Sequence, residues 1–265
     1  MLTSNSNPQI KEIRKLRDRK ERQAVGLFYI EGLRIVGEAV DLNEEIESLI
    51  VAPELLISDF GQKLVQVHQE KGGLVLEVSR QVFQSLSMKE GPQGIAAVLR
   101  QRWASLDKVD VKPNDCWVVL DSIADPGNLG TILRTSDSTG CCGVILLDQS
   151  TDPFDPSSIR ASMGALFNQK LVKTGFAEFA DWKRRTGIQL VGTSDKADQN
   201  YHKFVFPRTL AVLMGSERQG LQQKHLDLCD SVVRIPMTGI SDSLNLAVAT
   251  AVVLYEIVNQ KQEAT

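Results

Sequence analysis

Metal and disulfide chemistry have little raw material in this chain. Its 265 residues include three histidines (His68, His202, His225) and four cysteines (Cys116, Cys141, Cys142, Cys229). No pair of cysteines has CxxC spacing, and adjacent Cys141 and Cys142 make a poor clamp for one ion. Neither a metal nor a disulfide is expected; the thiols read as small buried side chains. There is no G-x-G-x-x-G and no Walker loop, so the usual dinucleotide and nucleoside triphosphate signatures are missing. Long apolar runs are missing too. The stretch 246–255 is too short to span a bilayer, and residues 1–7 lack the charged and apolar regions of a secretory signal. A cytoplasmic protein with no membrane partner is expected. The formal net charge is −3, which argues against a protein that coats nucleic acid indiscriminately.

Positive charge is nevertheless concentrated in one place. Residues 11–22 carry seven Lys or Arg against three Asp or Glu. A solvated helix with i,i+4 ion pairs explains such a run. So does a phosphate-binding face, since neutralising phosphates releases counterions. Around this patch, helical and strand patterns alternate over roughly a hundred residues. Helical stripes fall near 10–16, 33–42, 55–71 and 80–86, and strands near 27–31, 46–52, 74–78 and 95–99. An α/β/α sandwich is the simplest packing of that order. Residues 101–114 are polar, contain Pro113 and read as a linker. Three segments are therefore expected: a small domain over 1–100, the linker over 101–114, and a larger domain over 115–265.

The larger domain is strongly strand–helix. Strands are predicted at 116–120, 143–147, 189–192, 210–214 and 231–235, with a weaker one at 170–173. Helices are predicted near 129–138, 156–166, 176–185, 219–226 and 244–258. Short apolar strands separated by helices imply a parallel sheet covered on both faces. The polar strand–helix junctions carry the chemistry. One is Asn128-Leu-Gly-Thr-Ile-Leu-Arg134, another Leu213-Met-Gly-Ser-Glu-Arg-Gln-Gly220, and the third Ile235-Pro-Met-Thr-Gly-Ile-Ser-Asp-Ser-Leu-Asn245. Ser243 and Asn245 are natural at the first turn of the apolar helix that follows, where their oxygens can cap free N–H groups. Asn128 is read as a cap in the same way. Helix N-termini beside strand ends favour ligands, and three such junctions suggest one shared site.

In that order the three segments resemble the SpoU (TrmH-like) family of RNA ribose 2′-O-methyltransferases, in the SPOUT class. The first family motif has Asn, Gly and Arg spaced as Asn128, Gly130 and Arg134. The second has Gly and Glu, as Gly215 and Glu217, with Gly220 following. The third has Pro and then Ser-x-Asn, as Pro236, Ser243 and Asn245. Arg218 departs from the many relatives that carry Gly there. The resemblance implies a deep trefoil knot in the C-terminal parallel sheet, with the chain from about Gly192 threaded through a loop. Periodicity alone would give an unknotted doubly wound fold. It also implies that the N-terminal domain is L30e-like and binds substrate RNA, and that the enzyme is a homodimer.

The implied reaction moves a methyl group from S-adenosylmethionine to a ribose 2′-hydroxyl, and needs alignment and charge stabilisation rather than a metal. Implied catalytic residues are Asn128, Arg134, Glu217, Ser243 and Asn245. A guanidinium is almost never neutral, so Arg134 suits holding the 2′-oxygen or its phosphate better than acting as base. The plain alternative for Arg134 is a surface ion pair with Asp137. Cofactor contacts are implied at Thr193, Met214, Gly215, Ile235, Pro236, Met237, Ser243 and Leu244, where exposed amides and apolar side chains suit an adenine face. RNA contacts are expected at Lys11, Arg14, Lys15, Arg34 and Arg160. The apolar helix after Asn245 needs covering nearly all round, partly by a second subunit. Ribosomal RNA is favoured over tRNA, because a separate domain suits a large folded target. Two other readings remain open. One is an RNA-binding protein that has lost activity; the other is a different doubly wound nucleotide-using enzyme.

Overall fold

Asn7 and Pro8 open the first helix for local reasons. The Asn7 side chain accepts a hydrogen bond from the Gln9 N–H, and Pro8 takes the first turn, where no backbone donor is needed. The protein, described over residues 1–263 by a computed structural model, divides into two units. The first is Met1–Gln101 with Phe154–Ile159; the second holds the other described residues.

The first unit runs α1 (Pro8–Lys15), α2 (Arg19–Val25), β1 (Leu27–Glu31), α3 (Leu33–Asp41), β2 (Ile46–Val51), α4 (Asp59–Glu70), β3 (Val75–Glu77), α5 (Arg80–Leu86) and β4 (Ile95–Arg100). The sheet order is β1-β4-β2-β3. β4 is antiparallel to both neighbours, and β2 and β3 are parallel. Period-two alternation sorts the side chains. Tyr29, Ile50, Ala96 and Val98 pack against Ile10 and Ile13 of α1 and Val82, Phe83 and Leu86 of α5. Phe28, Ile30, Leu49 and Val51 are also buried, on the side where α3 meets β1, β4 and α4. Helices thus cover both faces, as the alternating pattern predicts.

The second unit contains β5 (Cys116–Asp121), α6 (Pro126–Ser138), β6 (Gly143–Leu147), the end of α7 (Pro156–Ser162), α8 (Ala165–Asn168), β7 (Lys170–Thr174), α9 (Phe176–Thr186), β8 (Gln189–Thr193), β9 (Gln199–Asn200), β10 (Leu210–Met214), α10 (Gln223–Leu226), β11 (Ser231–Arg234) and α11 (Leu246–Glu263). Its seven strands lie in the order β7-β6-β5-β10-β8-β11-β9, with every pairing parallel. One face packs Trp117, Val119, Ile145, Leu147, Val172, Ala211 and Leu213 against Phe179 and Trp182 of α9. Elsewhere α6 packs on β6, and α11 on α6. Successive strands run outward from β5 to β6 and β7, whereas β10 and β8 lie on its other side. Strand order thus reverses beside β5, and the loops leaving the carboxyl ends of β5 and β10 lie side by side at this switch point.

Several elements differ from the sequence pattern. Within residues 101–114, read as a linker, Ala104 bridges to Val172 and Leu106 is buried in the α9-side core. Polar composition hid these two apolar anchors. The helix predicted over 156–166 is broken by Met163 and Gly164, both at positive φ, which an α-helix cannot contain. The 219–226 helix shrinks to α10, because 216–220 folds into a turn closed by Gly220 N–H donating to Ser216 O at 2.9 Å. Two-residue β9 has too few positions to show a period.

Trp117 is 1% exposed at the centre of the α9-side core. Trp117→Ala is expected to cost about 3–5 kcal/mol, read as a lower denaturation midpoint for the second unit. A midpoint unchanged from wild type would contradict this core assignment.

Candidate active site

The site forms where the loops after β5 and β10 meet the start of α11. α6 starts with Asp125 and Pro126. Asp125 Oδ1 accepts the Asn128 N–H at 2.7 Å, and Pro126 opens the first turn. Asn128 is therefore not the cap predicted for this helix; Asp125 is. The Asp-Pro pair is itself an N-terminal signature, a capping carboxylate followed by a proline in the first turn. Freed from capping, the Asn128 side chain bonds in two directions. Its Nδ2 donates to Glu217 Oε1 at 3.2 Å, and its Oδ1 accepts from Asn245 Nδ2 at 2.9 Å.

Glu217 is held by more than Asn128. The Ala124 N–H donates to Oε2 at 3.2 Å, and the Asp125 N–H to Oε1 at 3.4 Å. Burial works to raise the Glu217 pKa. Hydrogen bonds from its own backbone N–H and from Ala124, Asn128 and Asp125 outweigh burial and hold the carboxyl below its usual range. The loop that carries Glu217 is tight. A Cβ at Gly215 would lie 2.2 Å from Gly220 C and 2.4 Å from Leu221 N, both backbone atoms, so this position admits only glycine.

Asn245 is the cap of α11: its Oδ1 accepts the Ala247 N–H at 2.9 Å and the Val248 N–H at 3.3 Å. Ser243, expected to share that role, is exposed, and its hydroxyl donates to Asp242 Oδ1 at 3.4 Å. It lies too far upstream, because the helix begins at Leu246 rather than near 244. Arg134 stands apart. It is exposed on α6, and among the described residues its guanidinium has no hydrogen-bonding or charged partner. The ion pair with Asp137 does not form.

Six of the positions expected to hold a cofactor lie at or just after the carboxyl ends of three adjacent strands, β10, β8 and β11, whereas Ser243 and Leu244 directly precede α11. Thr193 ends β8, and its hydroxyl donates to Met214 Sδ, at the end of β10, at 3.4 Å. Gly215 follows β10, while Ile235, Pro236 and Met237 follow β11. Ile235 and Met237 are half-buried, and Leu244 is 37% exposed. Partly uncovered apolar side chains beside loop backbone fit an adenosyl group. Among the described residues, no group of three or more His, Cys, Asp or Glu could hold a metal ion, and no helix is long and apolar enough to cross a membrane.

The expected RNA contacts fall on other elements. Lys11 is exposed in the first unit. Arg14 donates to Ser85 Oγ at 2.9 Å. Lys15 pairs with Glu12 at 2.9 Å and Arg34 with Glu38 at 3.2 Å, all exposed or nearly so. In the second unit, Arg160 is exposed near the end of α7.

The lowered Glu217 pKa carries a sign. Between the folded and unfolded values the unfolded chain binds more protons, so the contribution is complete above about pH 4.3. It is lost as pH falls through the folded value. Glu217→Gln is expected to flatten the stability–pH curve below about pH 4.3. Denaturant midpoints between pH 3 and 6 measure this, and parallel wild-type and variant curves would refute it.

A profile of the SpoU rRNA Methylase family matches residues 115–255. A second profile, the MRM3-like substrate binding domain, matches residues 7–97. A 23S rRNA (uridine(2479)-2′-O)-methyltransferase from Streptomyces viridochromogenes is 31% identical over 253 residues, 93% of this chain and 87% of that protein. The 23S rRNA (guanosine(2553)-2′-O)-methyltransferase RlmP of Bacillus subtilis is 29% identical over 259 residues, 97% of this chain and 98% of that one. The AdoMet-bound structure of an rRNA methyltransferase from Sinorhizobium meliloti is similar with a TM-score of 0.89 at 34% identity, covering 97% of both chains. The parallel sheet, the three joined motif loops and these matches agree: the chain belongs to the SpoU rRNA methylase family.

Proposed function

We propose that this protein methylates a ribose 2′-hydroxyl of ribosomal RNA, using S-adenosylmethionine. The observation that carries the reading is the hydrogen-bonded chain Glu217–Asn128–Asn245, which ties together all three motif loops. Its full-length relatives act on 23S rRNA, and only ribose offers the 2′-hydroxyl. When bound, the cofactor supplies a methyl group already activated on a sulfonium, so the protein has to align and to stabilise charge.

Thr193, Met214, Gly215, Ile235, Pro236, Met237 and Leu244 hold the cofactor through strand-end backbone and apolar cover. Asn128 and Asn245 fix the rim of that pocket, Glu217 anchors the loop between them, and exposed Ser243 orients the incoming ribose. Arg134 steadies the 2′-oxygen or its neighbouring phosphate as the proton departs to phosphate or water. A charged guanidinium does this without being a base.

Among the described residues Arg134 has no side-chain partner, which supports a site completed by a second copy. α11 buries Leu246, Val253, Leu254 and Ile257 yet leaves Val248 and Tyr255 about half exposed. An apolar helix uncovered on one side suits a homodimer face. The C-terminal chain is threaded as a trefoil knot, a topology supported by the likeness to family structures. The L30e-like domain, residues 1–100, grips RNA through Lys11, Arg14, Lys15 and Arg34, and Arg160 adds a contact from the methyltransferase domain, residues 115–265. Such an enzyme works in the cytoplasm.

Mapping 2′-O-methyl positions in ribosomal RNA, with and without the gene, tests the reading; identical maps would reject it. Arg134→Ala is expected to keep cofactor binding by calorimetry and to lose methylation by about 10²–10³-fold. Mixing Arg134→Ala with Asn245→Ala subunits should restore part of the activity, because half the mixed dimers' sites are then intact. No recovery from mixing would reject the shared site, and near-normal turnover by Arg134→Ala alone would reject its assigned role.

A further inference from the structure

His225 is fully buried and belongs to none of the three motifs. It sits where segments following four strands converge. From the end of β5, Asp121 is 5% exposed and turns its Oδ1 toward His225 Nε2 at 3.5 Å. After β6, Asp148 accepts the Phe176 N–H on Oδ1 at 3.2 Å and faces Lys224 Nζ with Oδ2 at 3.7 Å. Phe176, following β7, meets the His225 ring edge-on with centroids 4.9 Å apart. On the segment after β10, the Gln222 N–H donates to His225 Nδ1 at 3.2 Å, and the Cys229 thiol donates to His225 O at 3.2 Å. Nε2 itself is buried with no aligned hydrogen-bond acceptor, and such a group calls for an explanation.

The Gln222 contact fixes the tautomer. An Nδ1 that accepts is unprotonated, so the proton of the neutral ring is on Nε2, whose nearest carboxylate oxygen is Asp121 Oδ1 at 3.5 Å. Asp121 immediately precedes the loop whose Ala124 and Asp125 amides hold Glu217. Gln222 closes the loop that carries Glu217. That loop is closed on itself: the Gly220 N–H is bonded to Ser216 O and the Gln219 N–H to Ser216 Oγ.

We propose that His225, through Asp121 on one side and Gln222 on the other, is a positioning residue that sets the Glu217 loop against the Asn128 loop. The inference rests on the reading that these loops form the methylation site. The ring's own proton controls it. Burial pushes His225 below the ordinary imidazole range, against the pull of Asp121 and Asp148 and with a smaller push from Lys224. A second proton would occupy Nδ1, break the Gln222 bond and release the loop at a pH below the ordinary imidazole range.

The experiment compares wild type, His225→Phe and His225→Gln from pH 8.5 down to pH 4.5, well below the ordinary imidazole range, with S-adenosylmethionine and ribosomal RNA. Nitrogen NMR of the three imidazoles reads the tautomer independently of turnover. Expected are one neutral imidazole protonated on Nε2, and a fall in kcat of about tenfold in His225→Phe with KM and cofactor affinity little changed. His225→Gln keeps an Nε2 donor, so it should recover most of kcat at pH 8 and lose the acid limb seen in wild type. An unchanged kcat and acid limb in His225→Phe, or an Nδ1-protonated ring, would overturn the proposal. If His225→Phe does not fold, Asp121→Asn decides: lowered kcat at constant KM supports the pair, and wild-type kcat overturns it. A wild-type protein without methylation sinks the broader reading and this inference with it. An active wild type indifferent to His225 sinks this inference alone.

Discussion

Asn128 has one side chain and two jobs, and the rest of the site depends on its doing both. Its amide donates to Glu217 and accepts from Asn245. An amide is the one kind of short side chain that does both at fixed separation. An aspartate there would repel Glu217, and a leucine would leave the Glu217 carboxyl and the Asn245 amide short of a partner. Because Asn245 also caps α11, the chain of contacts runs from a loop carboxyl into the backbone of the longest helix.

The sheet makes this meeting possible. Parallel pairing of β10 with β5 and β8 puts the carboxyl ends of all three strands at one level, so each following loop starts from the same edge. Strand order reverses beside β5, which opens the crevice the loops line. Gly215 then lets the Glu217 loop fold back on its own backbone. The tightness of that loop gives Glu217 a fixed height over the Ala124 and Asp125 amides.

Much of this fold was legible in the sequence. Strands buried on both faces are continuous apolar runs, so β5, β6 and β10 stood out; Val118, Ile145 and Val212 are all 0% exposed. Helix starts were less legible, because several polar residues near a junction compete for the cap. Asp125 took the place expected of Asn128, and Asn245 capped α11 without Ser243. The break at Met163 could not be foreseen, since methionine rarely adopts positive φ and only packing enforces it. The site residues were visible as motifs, but their connection was not. Asn128 lies 89 positions from Glu217 and 117 from Asn245, and only the order of strands brings them together. The role of His225 was invisible for the same reason: a lone histidine in sequence shows neither its neighbours nor its burial.

The central claim is that Glu217, Asn128 and Asn245 act as a single device. A mutant cycle of Asn128→Ala, Glu217→Gln and Asn245→Ala, read as the rate of ribose methylation, tests it most directly. Residues that work as a unit are strongly non-additive, so the double and triple variants should lose little more than the worst single one. Losses that multiply across the three positions would show independent contributions and contradict the account.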